Sequence, residues 1–175
     1  MSDVSLCAPL RLVPYPLSHR VVMAPVTRMR AQQPGYVLGE FTALYYTQRA
    51  SAGGLLMSEG SPVSPRGRRY PATPGIHSPE QVAGWRLVTE SFHRRGDLIF
   101  VQLWHVGRMS HSSYQPDDLP LAPSQGSAPT AAMFRPFFSG ILISAVVFTH
   151  KSANKDKDND DKVIIRCVRS GQAGQ

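Results

Sequence analysis

The first 150 residues contain no lysine and no asparagine; Lys151, Lys155, Lys157 and Lys162 and both asparagines, Asn154 and Asn159, all lie beyond them. Arginine shows the opposite bias, with twelve of fifteen before residue 133. Such a switch in basic-residue usage predicts a boundary. Residues 1–132 form one unit, and 133–175 form a tail of different origin, such as a changed splice site or reading frame. Cysteine is nearly absent: Cys7 and Cys167 exclude a disulfide framework, and neither has metal-ligand neighbours at useful spacing. Long apolar runs are missing too. The longest, Phe137 to Phe148, falls short of the roughly 20 residues that cross a bilayer, so no membrane span is expected. The opening MSDVSLCAPL has no basic leader and apolar core of the secretory type. These absences predict a soluble protein of a reducing compartment, the cytoplasm.

With 175 residues the chain is long enough for one domain that buries roughly 70% of its unfolded surface. Its formal charge of +7 raises the question of an anionic partner. Nucleic acid is not expected, because Arg11, Arg20, Arg28, Arg49 and Arg86 are scattered among apolar segments rather than clustered. Arg66, Arg68 and Arg69 form the one dense group before the tail. The tail itself divides into an apolar part, 134–148, without a clean helical or strand period, and a mixed-charge run, 151–162, with the composition of a disordered segment.

The richest stretch is Phe100 to Arg108, FVQLWHVGR, an apolar run that ends on polar side chains and Gly107. It reads as a buried strand delivering groups to a site. With a period of two, Phe100, Gln102 and Trp104 share one face and Val101, Leu103 and His105 the other. A buried amide left unpaired costs about 1 to 3 kcal/mol, so Gln102 needs partners from the protein or from a ligand. His105 and His111 do not make a metal site by themselves, lacking an acidic or thiol companion, and His105 reads as a packed strand-end residue. A second run, RVVMAPVTR over 20–28, ends in Pro25, Val26 and Thr27. Between the two lie Tyr45, Tyr46, Gln48 and Arg49, then Gly53, Gly54 and Leu55 leading to Glu59, then YPATPGI over 70–76.

In this order and spacing the set resembles the old yellow enzyme family, closest to its plant 12-oxophytodienoate reductases, over about residues 9 to 125. The resemblance implies an α/β fold, a TIM barrel of eight strand and helix units. A complete barrel typically needs about 250 residues, so the expectation is its N-terminal portion: a hairpin plus about three strand and helix units. Leu10 to Leu17 would form the hairpin through Pro14, Tyr15 and Pro16, capping the barrel's bottom. Val21–Ala24, Leu55–Ser58 and Leu98–Leu103 would be parallel strands. One helix should run through about Phe41 to Ala50, burying Phe41, Leu44, Tyr45 and Gln48. The other begins at Ser78, a good cap before Pro79 with Gln81 completing a capping box, and ends at Gly96; Val82, Trp85, Val88 and Phe92 share its inner face. An open piece of parallel sheet leaves one face wet and an edge unpaired, which invites self-association.

The resemblance also implies a cofactor, FMN, with NADPH as reductant. Its flavin would be bound at Pro25, Val26, Thr27, Gly60 and Gln102. Thr27 would donate to the ring near its C4 carbonyl, Gln102 would serve the pyrimidine edge with donor and acceptor, and Gly60 would let backbone approach the ring. Each has a plainer reading. Thr27 could bond local backbone, Trp104 could be core, and Arg108 could pair with an acidic group, Glu59 being one candidate, or with a carbonyl terminus. The implied chemistry is hydride transfer to an α,β-unsaturated carbonyl in oxylipin metabolism. The family's proton-donating tyrosine and its carbonyl-binding His pair, or His and Asn, have no counterpart in these residues; Tyr45, Tyr46, Tyr70 and Tyr114 do not match. No catalytic residue is assigned. The alternative is a catalytically inactive relative or an interaction module. A third reading, a dienoyl reductase type of flavin barrel, would bring iron-sulfur cysteines that are not seen.

Overall fold

The computed structural model describes residues 5–12, 14–117 and 120–121, together with the strand backbones of 145–149 and 163–167. An antiparallel hairpin comes first, β1 (Leu10–Leu12) and β2 (Tyr15–Leu17), paired Leu10 to Leu17 and Leu12 to Tyr15. Then follow β3 (Val22–Met23), helix α1 (Glu40–Thr47), β4 (Leu55–Pro62), helix α2 (Pro79–His93) and β5 (Leu98–Trp104). β3, β4 and β5 lie side by side and parallel, with Met23 beside Leu56 and Leu56 beside Ile99.

The three strands pair in parallel as expected, and two further strands extend the sheet. β6 (Ala145–Thr149) adds antiparallel to β5, and β7 (Val163–Cys167) adds antiparallel to β6, giving the order β3-β4-β5-β6-β7. AVVFT and VIIRC are rich in β-branched residues, which favour extended backbone. The mixed-charge run 151–162 lies outside the described residues.

α2 forms as its termini dictate. Ser78 Oγ accepts from the Gln81 N–H, and Gln81 Oε1 accepts from the Ser78 and His77 N–H groups, closing the capping box. Past the C-cap Arg94, Gly96 adopts φ +82°, the left-handed conformation that ends the helix at low steric cost. Trp85, Val88 and Phe92 pack onto Leu56, Ile99, Val101 and Leu103 of the sheet, with Ala43 and Tyr46 of α1 completing the core. Trp85 also donates from Nε1 to the Gly75 carbonyl at 3.1 Å.

The face expected for α1 is wrong by part of a turn. Thr42, Ala43 and Tyr46 are buried, while Phe41 is 89% exposed, Leu44 53% exposed, and Gln48 lies on the surface; Tyr45 is half-buried. The small Ala43 lets α1 come close to α2, and Tyr46 is the side chain that reaches a buried polar group on β4. The hairpin sits at the opposite end of the strands from the site. Ser18 N–H donates to the Gly53 carbonyl just before β4, and Tyr15 meets Phe100 edge-on, ring centres 6.1 Å apart.

Candidate functional site at the carboxyl ends of the strands

β4 and β5 keep one register through Met57 and Phe100, then shift, so that Gly60 stands opposite Gln102. The extra residue makes a β-bulge over Ser58 and Glu59. Ser58 fills the gap in the ladder: its Oγ accepts from the Gln102 N–H at 3.1 Å and donates to the Glu59 carbonyl at 2.9 Å. The bulge leaves Glu59 1% exposed, directed at α1 and at the segment after β3.

A buried carboxylate needs counter-charge and donors, and Glu59 has both. Arg28 donates to its Oε1 from Nη2 at 2.7 Å and from Nε at 3.1 Å, and the Arg28 backbone N–H donates to Oε2 at 3.1 Å. Tyr46 Oη donates to Oε1 at 3.2 Å and accepts from the Glu59 N–H at 3.2 Å. The Arg28 guanidinium also lies 3.8 Å from the Tyr45 ring centre and 4.7 Å from that of Tyr46. Burial, and next the charge of Glu59, raise the Tyr46 phenol above its ordinary range. Arg28 is therefore the cation that pairs with Glu59.

This network brings the sequence-selected residues together. Thr27 precedes Arg28, Gly60 follows Glu59, and Gln102 faces Gly60 across the ladder, so three adjacent segments present them on one rim. Thr27 and Gln102 are half-buried; Pro25 and Val26 are exposed. Among the described residues neither the Thr27 hydroxyl nor the Gln102 amide makes a hydrogen bond, so both polar groups are available to a ligand.

At Gly60, the space a Cβ would take belongs to Trp104, whose ring atoms would lie 2.5 Å away. The glycine admits the indole rather than open space. Trp104 also lies 6.3 Å from the Tyr70 ring, and its Nε1 is buried without an acceptor. His105 is a packed strand-end residue: its Nδ1 accepts from the Gly107 N–H at 3.1 Å, and it lies 3.0 Å from where a Gly67 Cβ would be. His111 bonds locally to Ser113, and among the described residues no three metal-ligating side chains cluster.

Above the rim the loops after β4 and β5 are knitted together. Arg66 Nε donates to Gln115 Oε1 at 3.0 Å, Gln115 Nε2 donates to the Arg66 carbonyl at 3.1 Å, and Ser110 Oγ donates to the Arg68 carbonyl at 2.6 Å. Sequence reasoning missed Arg28, Tyr46 and Ser58. The signal was available for one of them: a glutamate inside the apolar run LLMSEG requires a cation, and Arg28 directly follows the selected Thr27.

Comparison with known proteins identifies the family. The profile of the NADH:flavin oxidoreductase / NADH oxidase family matches residues 5–155. 12-Oxophytodienoate reductase 7 of Oryza sativa subsp. japonica is 45% identical over 131 residues, which is 75% of this chain and 31% of that protein. Flavin oxidoreductase hxnT of Emericella nidulans is 47% identical over 122 residues, 68% of this chain and 31% of that protein. The chain thus spans about a third of the length of these curated relatives. A structure of morphinone reductase in complex with tetrahydroNAD superposes with TM-score 0.67 and 37% identity, covering 95% of this chain and 40% of the other. The chain belongs to the NADH:flavin oxidoreductase / NADH oxidase family, the FMN-dependent old yellow enzymes, and is close to the plant 12-oxophytodienoate reductases.

Proposed function

We propose that the chain contributes the ring-binding side of an FMN site in an oxidoreductase that uses NADPH to reduce an α,β-unsaturated carbonyl, with an oxylipin of the 12-oxophytodienoate type as substrate. The observation that carries this reading is the pair Gly60 and Gln102. They are directly opposed at the carboxyl ends of two parallel strands, with the Gln102 amide unbonded and half-buried. In α/β barrels that rim is where ligands bind.

The donor set fits a flavin ring, which presents both acceptors and a donor along its polar edge. Gln102 offers one of each, and the Thr27 hydroxyl adds a donor from the neighbouring segment. Pro25 and Val26, exposed beside Thr27, supply apolar surface for a planar ring. When bound, FMN supplies acceptance of hydride from the nicotinamide and its delivery to the substrate. This chain's residues bind and orient: Thr27 and Gln102 by hydrogen bonds, and Glu59 by fixing the spacing between the segments that carry Thr27 and Gly60.

The test is reconstitution of the purified chain with FMN, followed by the quenching of flavin fluorescence. Gln102→Leu and Thr27→Val should each weaken FMN by roughly three- to tenfold, the worth of one hydrogen bond. The reconstituted chain should oxidise NADPH faster when an enone is added. A chain that stays colourless at saturating FMN overturns the reading.

A further inference from the structure

Arg66, Arg68 and Arg69 are neighbours in sequence but not in circumstance. Arg66 is satisfied by Asp117 Oδ1 at 2.9 Å and by Gln115, and Arg69 lies over the Tyr70 ring at 5.1 Å. Arg68 is different. It is only 7% exposed, its guanidinium carbon lies 3.3 Å from the Tyr36 ring centre and 5.9 Å from that of Tyr114, and its Nε is buried with no acceptor. Among the described residues its guanidinium donates no hydrogen bond and meets no carboxylate.

Ring faces answer the charge of a guanidinium but not its N–H groups, which lie in the plane and need acceptors. Two carboxylates of the described residues flanking this loop are engaged elsewhere: Asp117 by Arg66, and Glu80 by Ser78 Oγ at 2.7 Å. His77 adds no competing charge near neutral pH, since its burial, and then Arg68 itself, lower its affinity for a proton. The backbone that carries Arg68 is held by Ser110 Oγ at 2.6 Å, so the position of the cation is built in. A desolvated arginine lacking an acceptor is matched by an external one, and its planar fork fits the paired oxygens of carboxylate and phosphate.

We propose that Arg68, walled by Tyr36 and Tyr114, is the centre of an oxyanion site taking a phosphate or carboxylate group, in the knitted loops above the strand ends. The proposal draws on none of Thr27, Gly60 and Gln102, so it stands whether or not the flavin reading does.

The test needs no flavin. Thermal unfolding of the full chain is followed at constant ionic strength while chloride is replaced by inorganic phosphate in one series and by acetate in another. At a tenfold excess over its dissociation constant, the bound anion should raise the midpoint by about 4 °C. Arg68→Gln should abolish the shift, and Arg86→Gln, which removes an exposed arginine of α2, should retain it. A shift with phosphate alone assigns a phosphate ligand, and one with both assigns a general oxyanion site. Where Arg68→Gln does not fold, the 1H–15N signal of the Arg68 Nε–H in the unaltered chain should move saturably with the anion. No oxyanion-specific shift in the unaltered chain, or an undiminished shift in Arg68→Gln, overturns the proposal.

Discussion

Glu59 and Arg28 are joined three times: by Nη2 and Nε of the side chain to one carboxylate oxygen, and by the Arg28 backbone N–H to the other. The pair is almost free of solvent, with the Arg28 side chain 12% and the Glu59 side chain 1% exposed. Breaking a buried pair by removing one partner costs about 3–5 kcal/mol, because the other charge is stranded. We expect Glu59→Gln and Arg28→Met each to lower stability by that amount in urea unfolding. The double variant Arg28→Met with Glu59→Leu should recover much of the loss, since no charge is then left uncompensated. Single variants within 1 kcal/mol of the unaltered chain would show that the pair contributes little.

The same network sets an alkaline limit. Tyr46 holds its proton more tightly when folded than the ordinary value of 10.0, first through burial and then through the charge of Glu59. Above pH 10 the unfolded chain loses that proton while the folded chain keeps it, so the unfolded state is favoured. Stability present below pH 10 should fall as pH rises beyond it, with a slope of up to about 1.4 kcal/mol per pH unit from this group. Tyr46→Phe should remove that component of the slope, although it costs the hydrogen bonds to Glu59. The check is denaturant unfolding at pH 9, 10 and 11 for both chains; parallel curves would exclude Tyr46 as the source.

Gly60 meets Trp104 too closely to accept even a methyl group. A Cβ there would lie 2.5 Å from the indole, whose ring centre lies 6.3 Å from that of Tyr70. Gly60→Ala should therefore destabilise the chain by about 1–3 kcal/mol, as overpacking does, and change the Trp104 fluorescence. Replacing the indole as well, in Gly60→Ala with Trp104→Leu, should relieve the clash. If Gly60→Ala alone is neutral, the indole is not confined as the geometry implies.

What the sequence disclosed and what it hid follow from the range of the interactions. The capping box of α2 lies within Ser78, Pro79 and Gln81, three consecutive choices visible to any local reading, and the helix starts there. The parallel strands were legible as apolar runs, but the facing of Gly60 and Gln102 was not, because it follows from the register shift at the bulge. α1 was misphased because EFTALYYT carries apolar groups on every side, so only the neighbours decide which are buried. Arg28 and Glu59 are separated by 31 residues, and the bulge that turns Glu59 inward depends on Ser58 meeting Gln102. None of these long-range decisions is written in a local pattern.

The misphased helix carries a consequence for assembly. Phe41 is 89% exposed and Leu44 53% exposed on α1, and Val21 and Val22 at β3, an edge of the sheet, are 55% and 41% exposed. Exposed apolar side chains favour association, and so does a strand edge with unpaired N–H and C=O groups. We expect the full chain to self-associate in the micromolar range through the exposed flank of α1. Phe41→Ser with Leu44→Ser should weaken the association at least tenfold, while the unfolding midpoint under dilute conditions changes little, because neither side chain belongs to the core. Sedimentation velocity across a hundredfold concentration range decides it. A chain that remains monomeric at 100 times the lowest concentration, or a double variant that associates as strongly as its parent, removes this flank as the contact.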